Sequence, residues 1–322
     1  MMDRAFSGMA HDTSDSAGIF PPSETASLDS ASAADYQLFK ECILRKTGID
    51  LNLYKQQQMH RRLQSMLGRA GAGSFKDYFA KLERDPQEMH AFLDRMTINV
   101  SELYRNPEKW DEMRDTVLPM LTGERGERGE RGERGERSPG KMLGTRKLKI
   151  WSAGCSYGAE PYSLAILLDK LSPDVRHTLI ATDLDRTILA KAKEGLFTAS
   201  DMKNVDDSTR SRYFKRQSSP NSSPVPEMDV RYRVDAEVRG RVTFAPHNLL
   251  ADRFDTGFDL ICCRNVVIYF TDPAKERLYR QFHDALRPGG ILFVGGTERI
   301  FDYREIGFET PLPFFYRRTP VD

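Results

Sequence analysis

The stretch IWSAGCSYGAEPYSLAIL, residues 150–167, runs from β-formers through a two-glycine turn to an acid, a proline and an apolar helix. It contains neither G-x-G-x-x-G nor a P-loop lysine. Gly154 and Gly158 let the backbone turn close to a ligand without a Cβ in the way. Where a pyrophosphate would rest on the helix N-terminus stands Glu160, a poor neighbour for phosphate. A ligand with a positive group fits better. S-adenosylmethionine carries a sulfonium, an ammonium, a carboxylate and a ribose diol, and no phosphate. Asp183 ends the next β-forming run, ATDLD, where an acid can accept both ribose hydroxyls. Asn248, in APHNLL, follows another run and suits an adenine edge. Arg264, Asn265 and Tyr269, in CRNVVIYF, follow the next. Each has a plainer use: the glycines only turn the chain, Asp183 caps a helix, Arg264 forms a surface ion pair. Their placement at successive strand ends favours one shared ligand.

The elements that must position these residues alternate from Leu148 onward. LKIWSA, HTLIATD and GILFVGG read as strands and FDLICCRNVVIYF contains another, separated by helical stretches such as RTILAKAKEG and PAKERLYRQFHDAL. Alternation of this kind predicts an α/β, Rossmann-like domain, mostly parallel, with helices on both faces. Between about residues 196 and 246 the pattern breaks into YFKRQ, VRYRVDAEV and GRVTFAP, around the Ser/Pro-rich SSPNSSPVPEM. A small antiparallel β-subdomain is expected there, and GFETPLPFFYRR reads as a closing hairpin. Upstream, residues 34–121 show helical spacing only: Met59, Leu63 and Met66/Leu67 repeat along one segment, Ser74 stands at an N-cap position, and Pro86 and Pro107 open later helices. This predicts a small all-helical N-terminal domain. Residues 1–33, rich in Ser, Ala and Asp, read as a disordered tail. Residues 122–146 contain five GER triplets, too few and too proline-poor for a triple helix, and read as a flexible linker. The α/β domain then spans 147–322.

With 322 residues the chain is long enough for two buried cores. Lys plus Arg is 48 against 47 Asp plus Glu, so no global field draws in nucleic acid or an anionic membrane. No apolar run reaches the ~18 residues of a membrane span, and the N-terminus lacks a signal-peptide layout. The four cysteines include no C-x-x-C pair, which fits reduced thiols and predicts no metal site. Cys262 and Cys263 adjoin on a strand and should face opposite ways.

The motifs GCSYGAEPYS, ATDLD, HNLL, CRNVVIYF and RPGGILFVGGTE, with NVSELYRNPEKW in the helical region, together resemble the chemotaxis-receptor glutamate methyltransferases of CheR type over residues 35–318. The resemblance implies methyl transfer from S-adenosylmethionine, leaving S-adenosylhomocysteine, to glutamates on the cytoplasmic helices of methyl-accepting chemoreceptors. It implies that Asn99, Ser101 and Arg105 reach the cofactor from the helical side and that Glu160 and Asp183 hold its polar groups. It places Asn248 and Leu249 along the adenosine, Arg264 and Asn265 beside the reacting centre, and Tyr269 near the entering carboxylate. Ser101 stands where many members carry Thr, and Tyr104 where they often carry Phe. A cytoplasmic monomer recruited to receptor arrays is expected, with no nucleic-acid partner and no membrane insertion.

A glutamate of pKa ~4.3 is already ionised at neutral pH, so the reaction needs no strong base. Rate must come from positioning and from removing water around the carboxylate. Arg105, Arg264 and Tyr269 are the residues expected to set that geometry, Arg264 through its guanidinium fork. Lys55, Arg61 and Arg62 lie along one basic helix, either a solvated face or, on the resemblance, a docking surface for acidic receptor helices. A small-molecule methyltransferase would not need NVSELYR, a nucleic-acid amino-methyltransferase would carry an N/D-P-P-Y-type motif, and a non-catalytic module of the same fold would bind the cofactor without turnover.

Overall fold

The computed structural model describes residues 30–96, 101–123, 146–217 and 230–320. The GER repeat, the Ser/Pro-rich insertion and Asn99 lie outside these residues. Four helices open the chain: α1 (Ser30–Thr47), α2 (Gln56–Arg69), α3 (Phe75–Arg84) and α4 (Pro86–Met96). Helix α1 begins inside the segment expected to be a tail through residue 33. Alanines 31, 33 and 34 favour helix even where few apolar groups precede a core. Ser74 caps α3 by accepting from the Asp77 N–H, and Asp35 on α1 accepts the Phe75 N–H at 2.7 Å. The apolar faces close over Phe39, Tyr78 and Phe92, all fully buried, giving this unit its own core.

Next come α5 (Pro107–Glu112), a π turn (Met113–Val117) and α6 (Leu118–Thr122). The sequence assigned this stretch to the helical domain. Its buried residues Trp110, Met113, Val117, Leu118 and Leu121 instead join the core beneath the sheet, with Ile150 and Tyr162. Helical periodicity reports a buried face but not which layer it meets.

The second unit continues β1 (Lys149–Ala153), α7 (Ala159–Leu171), β2 (Thr178–Asp183), α8 (Arg186–Glu194), β3 (Leu196–Thr198), α9 (Asp207–Tyr213), β4 (Phe214–Gln217), β5 (Arg231–Val234), α10 (Ala236–Arg239) and β6 (Val242–Pro246). It ends β7 (Phe258–Cys263), α11 (Asp272–Ala285), β8 (Leu286–Val294), α12 (Tyr303–Ile306), β9 (Phe308–Leu312) and β10 (Phe315–Arg318). The main sheet runs β6-β2-β1-β7-β8-β10-β9. Its first five strands are parallel, and the hairpin β9–β10 closes it antiparallel on β8. Strands β3-β5-β4 form the expected small antiparallel sheet. GRVTFAP does not belong to it: β6 pairs parallel with β2, Leu179 opposite Val242, as the edge of the main sheet. An edge strand with one wetted face alternates like an antiparallel one, so the pattern misleads.

Cys262 and Cys263 do face opposite ways, one into each of the two cores flanking the sheet. Chain order reverses between β1 and β7, with α7 packed in one core and α11 in the other. Loops leaving those two strand ends diverge and open a crevice. Trp110→Ala should cost about 3–5 kcal/mol in denaturant unfolding; a loss below about 1 kcal/mol would remove α5 from the core.

Candidate active site

The crevice is an open cleft of about 1130 Å³, mouth included. Its floor is the turn after β1. The N–H groups of Gly154 and Cys155 both donate to the Thr182 carbonyl, at 2.8 and 2.9 Å, stitching this turn to the tip of β2. The Ser156 N–H donates to Asp183 Oδ2 at 2.8 Å, and the Asp185 N–H to Oδ1 at 3.1 Å. Gly154 has φ +79°, and a Cβ there would lie 2.5 Å from Val266 Cγ2, so the glycine is needed both for its conformation and for the approach of the next loop.

Glu160 sits in the first turn of α7. Its Oε1 accepts from Ser152 Oγ at 2.7 Å, and its Oε2 lies 3.8 Å from Arg264 Nη1. Burial raises the pKa of Glu160, partly opposed by Arg264 and Ser152. Burial likewise raises Asp183, partly opposed by the amide bonds to its carboxylate.

Arg264 is buried with its guanidinium 4.6 Å from the Phe293 ring centroid. Its Nη2 donates to the Arg105 carbonyl and to Asn106 Oδ1, each at 2.9 Å. This corrects the expected role: Nη2 is committed to the chain at 105–106 and Nη1 faces Glu160, so the fork is not presented to an incoming carboxylate. Arg264 holds the strap 101–106 over the cleft. That strap carries Tyr104 and Asn106 at positive φ, and Ser163 Oγ takes the Tyr104 N–H at 3.0 Å. Tyr157 bonds the Ser101 carbonyl and, at 3.0 Å, Asp201 Oδ1, while the Leu103 N–H donates to the Asp201 carbonyl. The small β-sheet's turn is thus tied to the strap.

The helical domain closes the mouth. Lys55 N–H donates to the Tyr269 carbonyl and Thr271 N–H to the Leu53 carbonyl, both at 2.9 Å, bridging Tyr54 to Phe270. Arg62, expected as a docking residue, turns inward: Nη1 donates to the Met96 carbonyl at 2.8 Å and the guanidinium lies 5.5 Å from the Tyr269 ring centroid. Of the basic trio, Arg61 is exposed and Lys55 half-buried. Burial raises the Tyr269 pKa, so its phenol is a neutral O–H donor at neutral pH.

Ser101, Arg105, Gly154, Glu160, Asp183, Asn248, Leu249, Arg264, Asn265 and Tyr269 all line this cleft. Asn248 is engaged differently from expectation. Its Oδ1 accepts the Leu250 N–H at 3.0 Å and its Nδ2 donates to the Gly48 carbonyl at 3.3 Å, so the amide shapes a turn and meets the helical domain. Tyr54, Ser156, His247 and Val266 line the cleft as well, and their types and positions in the sequence do not mark them for it. Ser156 takes part through its backbone N–H, which leaves no side-chain signature. Tyr54 comes from the other domain, and only the fold brings it here.

Two domain matches cover this architecture: the CheR methyltransferase all-alpha domain over residues 34–97 and the CheR methyltransferase SAM-binding domain over residues 99–310. The chain belongs to the CheR methyltransferase family. It is 36% identical over 285 residues to a chemotaxis protein methyltransferase of Listeria innocua serovar 6a, covering 88% of this chain and 97% of the relative. It is 31% identical over 273 residues to that of Escherichia coli strain K12, covering 83% and 85%. The boundary between the matched domains agrees with the packing of α5 onto the sheet core.

The cleft fits S-adenosylmethionine on its donor set. Two buried carboxylates with raised pKa values suit a cationic, diol-bearing ligand, and the buried Arg264 Nε has no hydrogen-bond partner among the described residues. Acidification protonates Glu160 and Asp183 above their ordinary values of 4.5 and 3.8, removing charge that attracts the cation. Affinity for S-adenosylmethionine should therefore fall as pH drops, beginning above the ordinary carboxylate range. Calorimetric titrations from about pH 8 to about pH 5 check this. Glu160→Gln should weaken binding about tenfold at neutral pH and flatten the profile; a pH-independent affinity would take both acids out of the cofactor site.

Proposed function

We propose that the chain transfers methyl from S-adenosylmethionine to glutamate side chains on the cytoplasmic helices of chemoreceptors, forming glutamate methyl esters in chemotaxis adaptation. The observation that carries this reading is the clasp of the helical domain onto the loop of Tyr269. It puts a neutral phenol at the mouth of an acid-floored cleft, beside a basic helix. When bound, S-adenosylmethionine supplies an activated methyl on sulfur. The chain's own part is to position. Glu160 and Asp183 hold the cationic ligand, Ser101 and Arg105 cover it from the strap, and Tyr269 gives the incoming carboxylate one neutral hydrogen bond. A neutral donor orients the anion while leaving its lone pairs more nucleophilic than an ion pair would. Asn99 is proposed with Ser101 on the resemblance.

Acidic receptor helices are proposed to dock along α2, through Arg61 and Lys55. The relatives' names, chemotaxis protein methyltransferase, support the process. No helix of the described residues is long and apolar enough to cross a membrane.

Incubation of the full chain with methyl-labelled S-adenosylmethionine and receptor-bearing membranes should give base-labile label on the receptor. Cofactor binding without transfer would favour a non-catalytic module. Tyr269→Phe should lower kcat about tenfold with cofactor affinity unchanged; unchanged turnover removes the phenol from the mechanism. Arg61→Glu should raise the KM for receptor several-fold at low salt and flatten its salt dependence. An unaltered salt profile would take α2 out of the interface.

A further inference from the structure

Glu298 does not line the cleft, yet the loop carrying Arg264, Asn265 and Tyr269 is built around its carboxylate. The residue is 3% exposed. Oε2 accepts the N–H groups of Asn265 at 2.6 Å and Gly295 at 2.7 Å, and Oε1 accepts that of Val267 at 2.9 Å. The Glu298 N–H donates to the Gly295 carbonyl at 2.9 Å, closing a turn that aims the side chain back at the loop. Backbone amides here take the place that a cation would fill beside most buried carboxylates.

The loop needs such an anchor. Asn265 is held at φ +60°, in the left-handed region that few non-glycine residues adopt. Beyond it, Val267–Tyr269 makes a single short helical turn, and the Tyr269 carbonyl takes the Lys55 N–H. One carboxylate thus fixes the loop between the cofactor cleft and the inter-domain clasp. Gly295 is fitted to the same anchor: a Cβ there would lie 2.5 Å from Glu298 Oε2 and 3.0 Å from the Asn265 nitrogen. Mere filling of this space would be done more cheaply by an apolar side chain, since burying a carboxylate is costly.

We propose that Glu298 is a positioning residue for methyl transfer, its carboxylate setting the 264–270 loop so that Asn265 and Tyr269 meet the reacting groups in register. This rests on the reading of the cleft as a glutamate methyltransferase site. Displacement by about 1 Å at such a site is enough to cost about 10²-fold in rate.

The test is Glu298→Gln in the full chain. The amide keeps the shape but turns one acceptor into a donor facing backbone N–H groups. Expected are a kcat lower by about 10²-fold and a cofactor Kd within about threefold of wild type. The amide proton resonances of Asn265 and Gly295, shifted downfield by their short bonds to a carboxylate, should move upfield. Gly295→Ala, which leaves Glu298 in place but crowds its Oε2, should reproduce the kcat loss and serves where the first variant folds poorly. Near-wild-type kcat in either folded variant overturns the proposal. So does a raised KM for cofactor with kcat intact, which would assign Glu298 to binding. Wild-type protein that binds cofactor but methylates no receptor overturns the functional reading itself, and the positioning role with it.

Discussion

The structure depends on one buried cation. Arg264, at the tip of β7, faces the Glu160 carboxylate on one side and ties the backbone of Arg105 and the amide of Asn106 on the other. A guanidinium out of water must be compensated nearly completely, and removing one partner of a buried pair costs about 3–5 kcal/mol. That constraint forces the strap 101–106 down onto the strand ends. The strap in turn holds Ser101 and Arg105 over the cleft and seats the Trp110 indole, whose Nε1 donates to the Arg105 carbonyl at 3.0 Å. The charge at the site thus organises structure before it meets a ligand.

A second set of backbone bonds works alongside this. The pairing of residues 53–55 with 269–271 makes the helical domain part of the site, because the segment it grips follows the loop of Asn265 and Tyr269. Arg62 adds to the grip through Met96 and the Tyr269 ring. Under the proposed function this arrangement has an evident use. The surface that would receive a long partner and the loop that would receive its carboxylate are mechanically one body. The turn at Asp201 plays a similar part for the small β-sheet, through Tyr157 and Leu103.

Residue type and position along the chain pick out ten of the residues that line the cleft, but not always the task. Asp183 and Glu160 stand where strand-end reasoning puts them, because parallel strands carry their loops to one edge of the sheet. By type and position Arg264, Asn248 and Arg62 are all donors for an external group. Each spends polar atoms on the protein's own backbone: the strap, the Leu250 turn and the end of α4, respectively. Unpaired carbonyls at loops and helix ends are strong acceptors, and their location is a property of the folded chain. Glu298 ends the motif RPGGILFVGGTE, but nothing in that motif reveals that two of its amide partners, Asn265 and Val267, lie more than thirty residues upstream.

The sequence by itself determined the order of helices and strands, the parallel sheet, the separate helical unit and the acids that line the cleft, since these follow from local periodicity and from strand-end chemistry. Only the tertiary structure decided that α5 and α6 pack on the sheet core, that β6 is an edge of the main sheet, and that Tyr54 belongs to the site. It also decided which charged groups face a ligand and which face the chain. The reason is physical: a side chain's chemistry is intrinsic, but its partner is whatever unsatisfied group the fold brings within hydrogen-bonding distance.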